Sequence, residues 1–447
     1  MTSAAEQLAA NINFSAFSKA TELKKRLWFT LGALLVYRLG TYIPLPGIDG
    51  RVLEDIFASQ AGGILGMFDM FAGGALRRMT IFALNIMPYI SASIIMQLLT
   101  AVSPQLEALK KEGEAGRKKI NQYTRYGTVL ITALQGYGIA VGLESMTSTA
   151  GAAVLDPGVF FRFTTVVTLI GGTMFLMWLG EQITQRGVGN GISLIIFAGI
   201  VANLPNALVG TLEMGRTGAI STLFVIFLLI MSVGVIAFII FIERAQRRIV
   251  VQYPKRQQGN RMTGGESSHL PLKINTSGVI PPIFASSILL MPITLIGFSA
   301  GSGPEWLSSL AVYLGHGQPL YLALYVGFIV FFAFFYTAVV FNPTETAENL
   351  KKYGGFIPGI RPGKNTAEFL DRVLTRLTVV GAAYLSAVCL LPEILISRFS
   401  VPFYFGGTSL LIVVTVTLDT VAQIQSHLLA HQYEGLIKKA KLRGRRG

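Results

Sequence analysis

Apolar runs of about 18 residues or more recur ten times along the chain, separated by polar segments of uneven length. They cover roughly 27–45, 79–103, 123–143, 159–180, 190–209, 219–242, 276–298, 319–341, 373–394 and 404–425. Each is long enough to cross a hydrocarbon layer of about 30 Å as a helix. One further apolar segment fits no such span. It begins at Ile64 and stops at Gly73-Gly74, and Arg77 and Arg78 follow before the second run opens. A segment about half the length of a crossing, leading straight into a span, has backbone groups without partners in lipid. It needs shelter in protein or in a water-filled cavity. The pattern predicts an all-α polytopic membrane protein of the channel or transporter kind.

Composition supports the membrane reading. Hydrophobic residues make up 52% of the chain and charged residues 13%, about half the usual charged share of soluble proteins. No polar stretch is long enough for a soluble domain. The net charge of +14 is compatible with nucleic acid or a membrane surface, and the positions of the charges decide. Of 37 Lys and Arg residues, 30 fall in 1–26, 104–125, 243–273, 342–376, 426–447 and the short turn holding Arg186. The alternate loops hold Arg51, Arg77, Arg78, Arg162, Arg216 and Arg398, and Arg38 lies inside the first span. This alternation is the positive-inside signature and predicts both termini in the cytoplasm. The first apolar run follows Lys24-Lys25-Arg26 and is too long for the core of a cleaved signal, so it is expected to be retained. Cys389 is the only cysteine, which excludes an internal disulfide.

Ten spans divide into halves of five, 1–215 and 216–447. An odd number of crossings per half gives the two halves opposite orientations, as in inverted repeats. This expectation rests on topology, because the halves share no convincing sequence identity. Two basic loops are long enough for structure of their own. Residues 243–273 contain RRIVVQY and HLPLK, extended segments that predict a small hairpin. Residues 342–370 open as a helix and end in a tip punctuated by Gly and Pro.

Catalytic chemistry is poorly supported. His427 and His431 share a helix face, but HLLAH lacks the glutamate of a zinc protease motif, and an interfacial helix end explains it. The glycines of RGVGNGIS (186–193) join two membrane helices with no preceding strand, so they predict a tight turn and not a nucleotide loop. No P-loop occurs, and any energy source belongs to a partner. Arg38, Glu181 and Asp419 sit within or near span ends. Span centres carry Asn85, Gln97, Asn190, Asn275, Thr276 and Gln423, which structural hydrogen bonds between helices would explain. A coupled carrier needs a carboxylate at depth, and none is evident. Isoleucine pairs at Ile86/Ile90 and Ile192/Ile196 fit either lipid-facing surface or a dewetting constriction.

Long segments in one order carry a resemblance. They include YRLGTYIPLPGID (37–49), FDMFAGGALRR (68–78), IMPYISASIIMQLL (86–99), KKEGEAGRKKINQYTRYGT (110–128), MFLMWLGEQIT (174–184) and GVGNGISLIIFAGI (187–200). Further on come ERAQRRIVVQYPKRQQG (243–259), HLPLKINTSGVIPPIFASS (269–287), FFYTAVVFNPTETAENLKKYG (334–354), IPGIRPG (357–363) and VPFYFGGTSLLIVV (401–414). Over essentially its full length the chain resembles the SecY family, the channel subunits of the bacterial protein-translocation machinery.

The resemblance implies ten spans in two clamshell halves around an hourglass pore, without enzymatic activity or cofactor. It implies a plug over about 64–78, including Ile64, Gly66, Met67, Phe68, Met70, Phe71, Gly73 and Gly74, with Asp69, Arg77 and Arg78 facing a watery outer funnel. The pore ring corresponds to Ile86, Ile90, Ile192, Ile196, Ile283 and Ile412, with Ile280 one turn from Ile283 as the alternative. A lateral gate between the second/third and seventh/eighth spans would be lined by Ser91, Gln97, Asn275 and Thr276. The long loops correspond to a docking surface for the SecA motor ATPase and the ribosome, with Lys255, Arg256, Arg261, Lys273 and Arg361 as its contacts. Arginine on a protruding loop suits rRNA phosphates, although topology and attraction to anionic lipid alone explain basic loops. Other implied partners are the SecE and SecG subunits, signal sequences and nascent polypeptides, the lipid bilayer, YidC and SecDF. The implied location is the bacterial cytoplasmic (inner) membrane. Two competing readings are a secondary transporter of a small solute and a ribosome-binding membrane scaffold.

Overall fold

The computed structural model describes residues 20–53, 69, 72–148, 151–218, 221–253, 256–258, 261–263, 267–298, 313, 318–399 and 407–443. Twelve helices of eight residues or more are present among them. They are α1 (Thr21–Gly40), α2 (Met87–Val102), α3 (Pro104–Lys111), α4 (Glu114–Ser145), α5 (Val159–Arg186), α6 (Gly191–Arg216) and α7 (Thr222–Arg244) in the first part. α8 (Ile280–Phe298), α9 (Pro319–Val340), α10 (Pro343–Lys352), α11 (Lys364–Phe399) and α12 (Gly407–Arg443) follow. Seven helices are long and apolar enough to cross a membrane alone, and an eighth results if the bent pair α2–α3 is one span. A helix stands at each of the ten expected positions, but α1, α2 and α8 do not meet that length and composition by themselves.

The second apolar run is the clearest departure from the sequence pattern. A helix was expected from 79, yet residues 79–86 form turns, and α2 begins at Met87. Met79 and Asn85 have φ of 46° and 49°. Such a backbone survives because it is enclosed by protein, not lipid. Ala83, Leu84 and Ile86 are almost fully buried, and a Cβ on Gly172 of α5 would overlap the Ile81 carbonyl oxygen. At the other end α2 bends by 99° into α3.

Within the helices, threonine hydroxyls donate to the carbonyl four residues back, as at Thr124, Thr128, Thr132, Thr337 and Thr415. This satisfies a polar group without leaving the helix. Most of the buried apolar residues form one cluster that runs through both halves of the chain. On one face, strand-like contacts tie distant loops: Leu45 N–H donates to Met79 O, Ile81 N–H to Ile43 O, and Asp49 N–H to Ala153 O.

The opposite face carries the predicted hairpin. Strands β3 (Gln246–Gln252) and β6 (Ser267–Lys273) pair antiparallel from Gln246↔Lys273 to Gln252↔Ser267. β4 (Arg256–Gln258) and β5 (Arg261–Thr263) pair farther out, and a two-residue pair, β1 (Thr147–Ser148) and β2 (Gly151–Ala152), lies between α4 and α5. The second long loop opens with α10, whose first turn is capped by the Asn342 side chain accepting from Thr344 and Glu345 N–H. Gln252 and Phe356 then exchange both backbone hydrogen bonds, so the two loops are joined. A second apolar cluster of Ile249, Leu272, Ile357, Leu370, Val373 and Leu374 lies beneath that junction. At 36 residues α11 is about 54 Å long, which lets its first turns stand clear of a bilayer and enter this cluster.

Candidate functional site

The six isoleucines expected in the ring come from four helices, and each lies in the first two turns of its helix or at its cap. Ile86 is the residue before α2 and Ile90 is one turn on; Ile192 and Ile196 open α6; Ile283 opens α8; Ile412 opens α12. Ile86, Ile90, Ile196 and Ile412 belong to the main apolar cluster, and Ile192, Ile280 and Ile283 pack against it. Ile86 and Ile412 are essentially inaccessible. The irregular segment before α2 is what brings Ile86 inward at a helix start.

The start of α6 is fixed from three directions by the RGVGNGIS turn. Val188 N–H donates to Thr30 Oγ1 of α1 at 3.0 Å, Gly189 N–H to Gln423 Oε1 of α12 at 2.8 Å, and Gly191 N–H to Thr184 Oγ1 of α5 at 2.9 Å. The Asn190 side chain accepts from Ile192 and Ser193 N–H and caps the helix. Asn190, expected at a span centre, is therefore a cap. Asn85, Asn275 and Thr276 also precede their helices and do not lie inside them. Apolar flanks hide such boundaries, and only at Asn190 does the N-cap preference of Asn signal one.

Of the segment expected to be a plug, Ile64, Gly66, Met67, Phe68, Met70 and Phe71 lie outside the described residues. Its tail is seated on the first and fifth spans. Arg38 Nη1 donates to Gly73 O at 2.8 Å, and Arg78 Nη1 donates to Thr41 O at 3.2 Å. Both guanidiniums lie over the Tyr42 ring, at 5.1 Å for Arg38 and 4.1 Å for Arg78. Gly73 has φ of +67°, and a Cβ there would approach Gly199 Cα to 3.0 Å. Asp69 does not face water as expected. Its side chain is 14% exposed, accepts from Arg77 N–H at 2.7 Å, and burial pushes its carboxyl above the usual range against the opposing pull of Arg77.

Helix α8 packs against α2 and α4, so elements of the two halves meet along this seam. Ser91 is buried in α2. Gln97 lines a cavity of 480 Å³ with Tyr89, Ser93, Asn121, Thr124 and, from α9, Val339. Its amide donates to Ser93 Oγ at 3.3 Å, while its Oε1 is buried without a hydrogen-bond partner among the described residues. Asn275 and Thr276 do not join them. Asn275 donates to Glu243 Oε1 at the end of α7, and Thr276 Oγ1 donates to Lys273 O. A half-buried ion pair that the sequence pattern missed, Arg125 with Glu181 at 2.7 Å, ties α4 to α5.

Among the docking candidates, Lys273 and Arg361 are exposed. Arg361 sits in a rigid frame: Gly359 and Gly363 have φ of +82° and +105°, and Thr366 Oγ1 donates to Arg361 O. Arg256 and Arg261 stand in β4 and β5; Lys255 lies outside the described residues. Among the described residues no group of His, Cys, Asp and Glu could hold a metal ion.

The family profile described as SecY matches residues 80–421. The chain belongs to the SecY family. It is 58% identical over 424 residues to the protein translocase subunit SecY of Escherichia coli (strain K12), covering 95% of this chain and 96% of that one. Identity to the subunit of the same name from Rickettsia conorii is 57% over 431 residues, covering 96% and 99%. In fold it is similar to a solved protein-conducting channel, with a TM-score of 0.64 at 18% identity over 91% of this chain and 92% of that one. It is also similar to Sec61 in the canine ribosome–channel complex from the endoplasmic reticulum, with a TM-score of 0.61 at 17% identity over the same shares. SecY-family proteins are channel subunits, not enzymes, and this chain is the protein-conducting channel subunit of a Sec translocon.

Proposed function

We propose that the polypeptide path runs through the ring of Ile86, Ile90, Ile192, Ile196, Ile283 and Ile412, closed from one side by the plug over about 64–78. The observation that carries this is the gathering of isoleucines from four helix starts, two in each half, into one apolar cluster. Branched aliphatic side chains repel water and ions, and offer no hydrogen bonds to retain a moving chain. Five spans in each half, inverted relative to each other, would support a ring at the junction of the halves. The seam of α8 with α2 and α4 supports a lateral gate, where a signal sequence intercalates and apolar segments leave for lipid. Ser91 and Gln97 line it, and Asn275 and Thr276 act at its edge.

The distribution of Lys and Arg supports both termini and the joined loops on the cytoplasmic side of a bacterial inner membrane. Lys255, Arg256, Arg261, Lys273 and Arg361 then face the SecA motor or the ribosome. SecE and SecG complete the channel in the membrane, and YidC and SecDF act beside it. Photocrosslinkers at Ile86 and Ile196 test the path. A stalled secretory chain is expected to crosslink at both; a chain that reaches neither excludes the ring as the conduit.

A further inference from the structure

The hairpin β3–β6 leaves the membrane at the end of α7 and returns just before α8. Its root is a buried polar knot. Asn275 Nδ2 donates to Glu243 Oε1 at 2.7 Å and to Gly278 O at 3.0 Å, and Ser277 Oγ donates to Asn275 Oδ1 at 3.0 Å. All three side chains, Glu243, Asn275 and Ser277, are less than a tenth exposed. The backbone closes the same root, with Ile274 N–H donating to Ala245 O at 3.1 Å. From the ninth span Gly381 presses on it, and a Cβ there would come 3.1 Å from Ile274 O and 3.6 Å from Asn275 Cα. Lys273 and Asp419 are the other charges that act on the Glu243 carboxylate, and Tyr384 lies beside it.

Two features give this knot a use beyond packing. The turn it fixes, 274–279, is the direct lead into α8, the helix that meets α2 and α4 across the seam. On its other side the knot continues into β3 and β6, which share an apolar cluster with the second loop and the start of α11. The two exposed loops, α11 and the leading end of α8 are thus one mechanical unit, and Asn275 lies in the turn that leads into the seam. Side chains held only by apolar packing could slide, whereas a buried hydrogen-bonded carboxylate fixes one arrangement, because breaking it leaves polar groups unpaired.

We propose that Glu243 is a positioning residue of the channel, holding the leading end of α8 through Asn275 so that displacement of the exposed loops is passed to the gate. This rests on the lateral gate reading. Without the clamp the closed arrangement loses its preference, and the gate responds to weaker signal sequences.

The test uses the full channel complex in proteoliposomes and compares export of a substrate bearing an intact signal with one whose apolar core is shortened. Glu243→Ala is expected to raise the ratio of defective-signal to intact-signal export about tenfold, the size of losing one hydrogen bond to a charged group. Asn275→Ala should match it, the double variant should add nothing further, and Glu243→Gln, which keeps an acceptor, should behave as the parent. Gly381→Ala pushes the same turn from the far side and is expected to raise the ratio too, so the test stands if Glu243→Ala fails to assemble. An unchanged ratio in all three, additive effects, or a Gln variant as severe as Ala would overturn the clamp. A crosslink joining α2 to α8 in the parent separates the two readings. If it blocks export while the ratio stays flat, only the clamp fails; if export continues through it, the gate itself fails and the clamp with it.

Discussion

Arg38 is the cation that the hydropathy pattern leaves inside the first span, and its guanidinium is spent on the Gly73 carbonyl and the Tyr42 hydroxyl. A charge within a span marks a functional position by default, since it is costly without partners. Here it anchors the tail of the segment proposed as the plug, at a glycine whose positive φ and close approach to Gly199 admit no side chain. Arg38→Met removes the anchor while keeping much of the apolar stem. Ion conductance of resting channels in planar bilayers is expected to rise by roughly tenfold or more, from the loss of about 1.5–3 kcal/mol of charge-assisted hydrogen bonding; Arg38→Lys should fall between. At this scale the sequence announced which residues are unusual but not what they touch. Arg38 stood out, yet its partner is 35 positions away, and Asn190 read as a polar residue at depth when it is a helix cap.

At the scale of elements, most of the pattern could be read because lipid-length helices and alternating strands leave plain periodicities. The hairpin 246–273 and the helix opening the second loop follow from sequence. The start of the second span does not. An apolar run looks the same whether it is helical in lipid or irregular inside protein, and only the enclosure of 79–86 by Gly40 and Gly172 allows the second case. The turn into the fifth span depends on another such approach, because a Cβ on Gly191 would overlap the Gly180 carbonyl oxygen. Gly191→Ala is expected to destabilise the fold by about 1–3 kcal/mol, seen as a lower unfolding temperature in detergent. It should also shift Ile192 and Ile196 and weaken the seal.

For the whole molecule, the charge distribution and the family resemblance made the channel legible, and the comparisons with relatives agree over nearly the full length. What no linear pattern could supply is the union of the two exposed loops, since Ile249 and Ile357 meet only through folding. Their union makes docking at one loop a load on both. Arg361→Glu is expected to cut motor- or ribosome-driven export at least tenfold, as reversing a phosphate- or carboxylate-binding contact does. Assembly and resting conductance should be unchanged. Binding of ribosomes to the parent should weaken steeply as salt rises, with a shallower slope in the variant, measured by cosedimentation.

The fixed contacts on either side of the proposed plug set a length. Leu53 N–H donates to Asp49 O, Asp49 is bonded to Ala153, and Gly73 is held by Arg38, all within the first half of the chain. Positions 53 and 73 are therefore both moored to that half. Bond geometry alone keeps any chain of this length, doubled back between two such moorings, within roughly 30 Å of them, about the thickness of the hydrocarbon layer. A plug built from it, as proposed, would leave the path of a passing chain without drifting away, and its return would need no search.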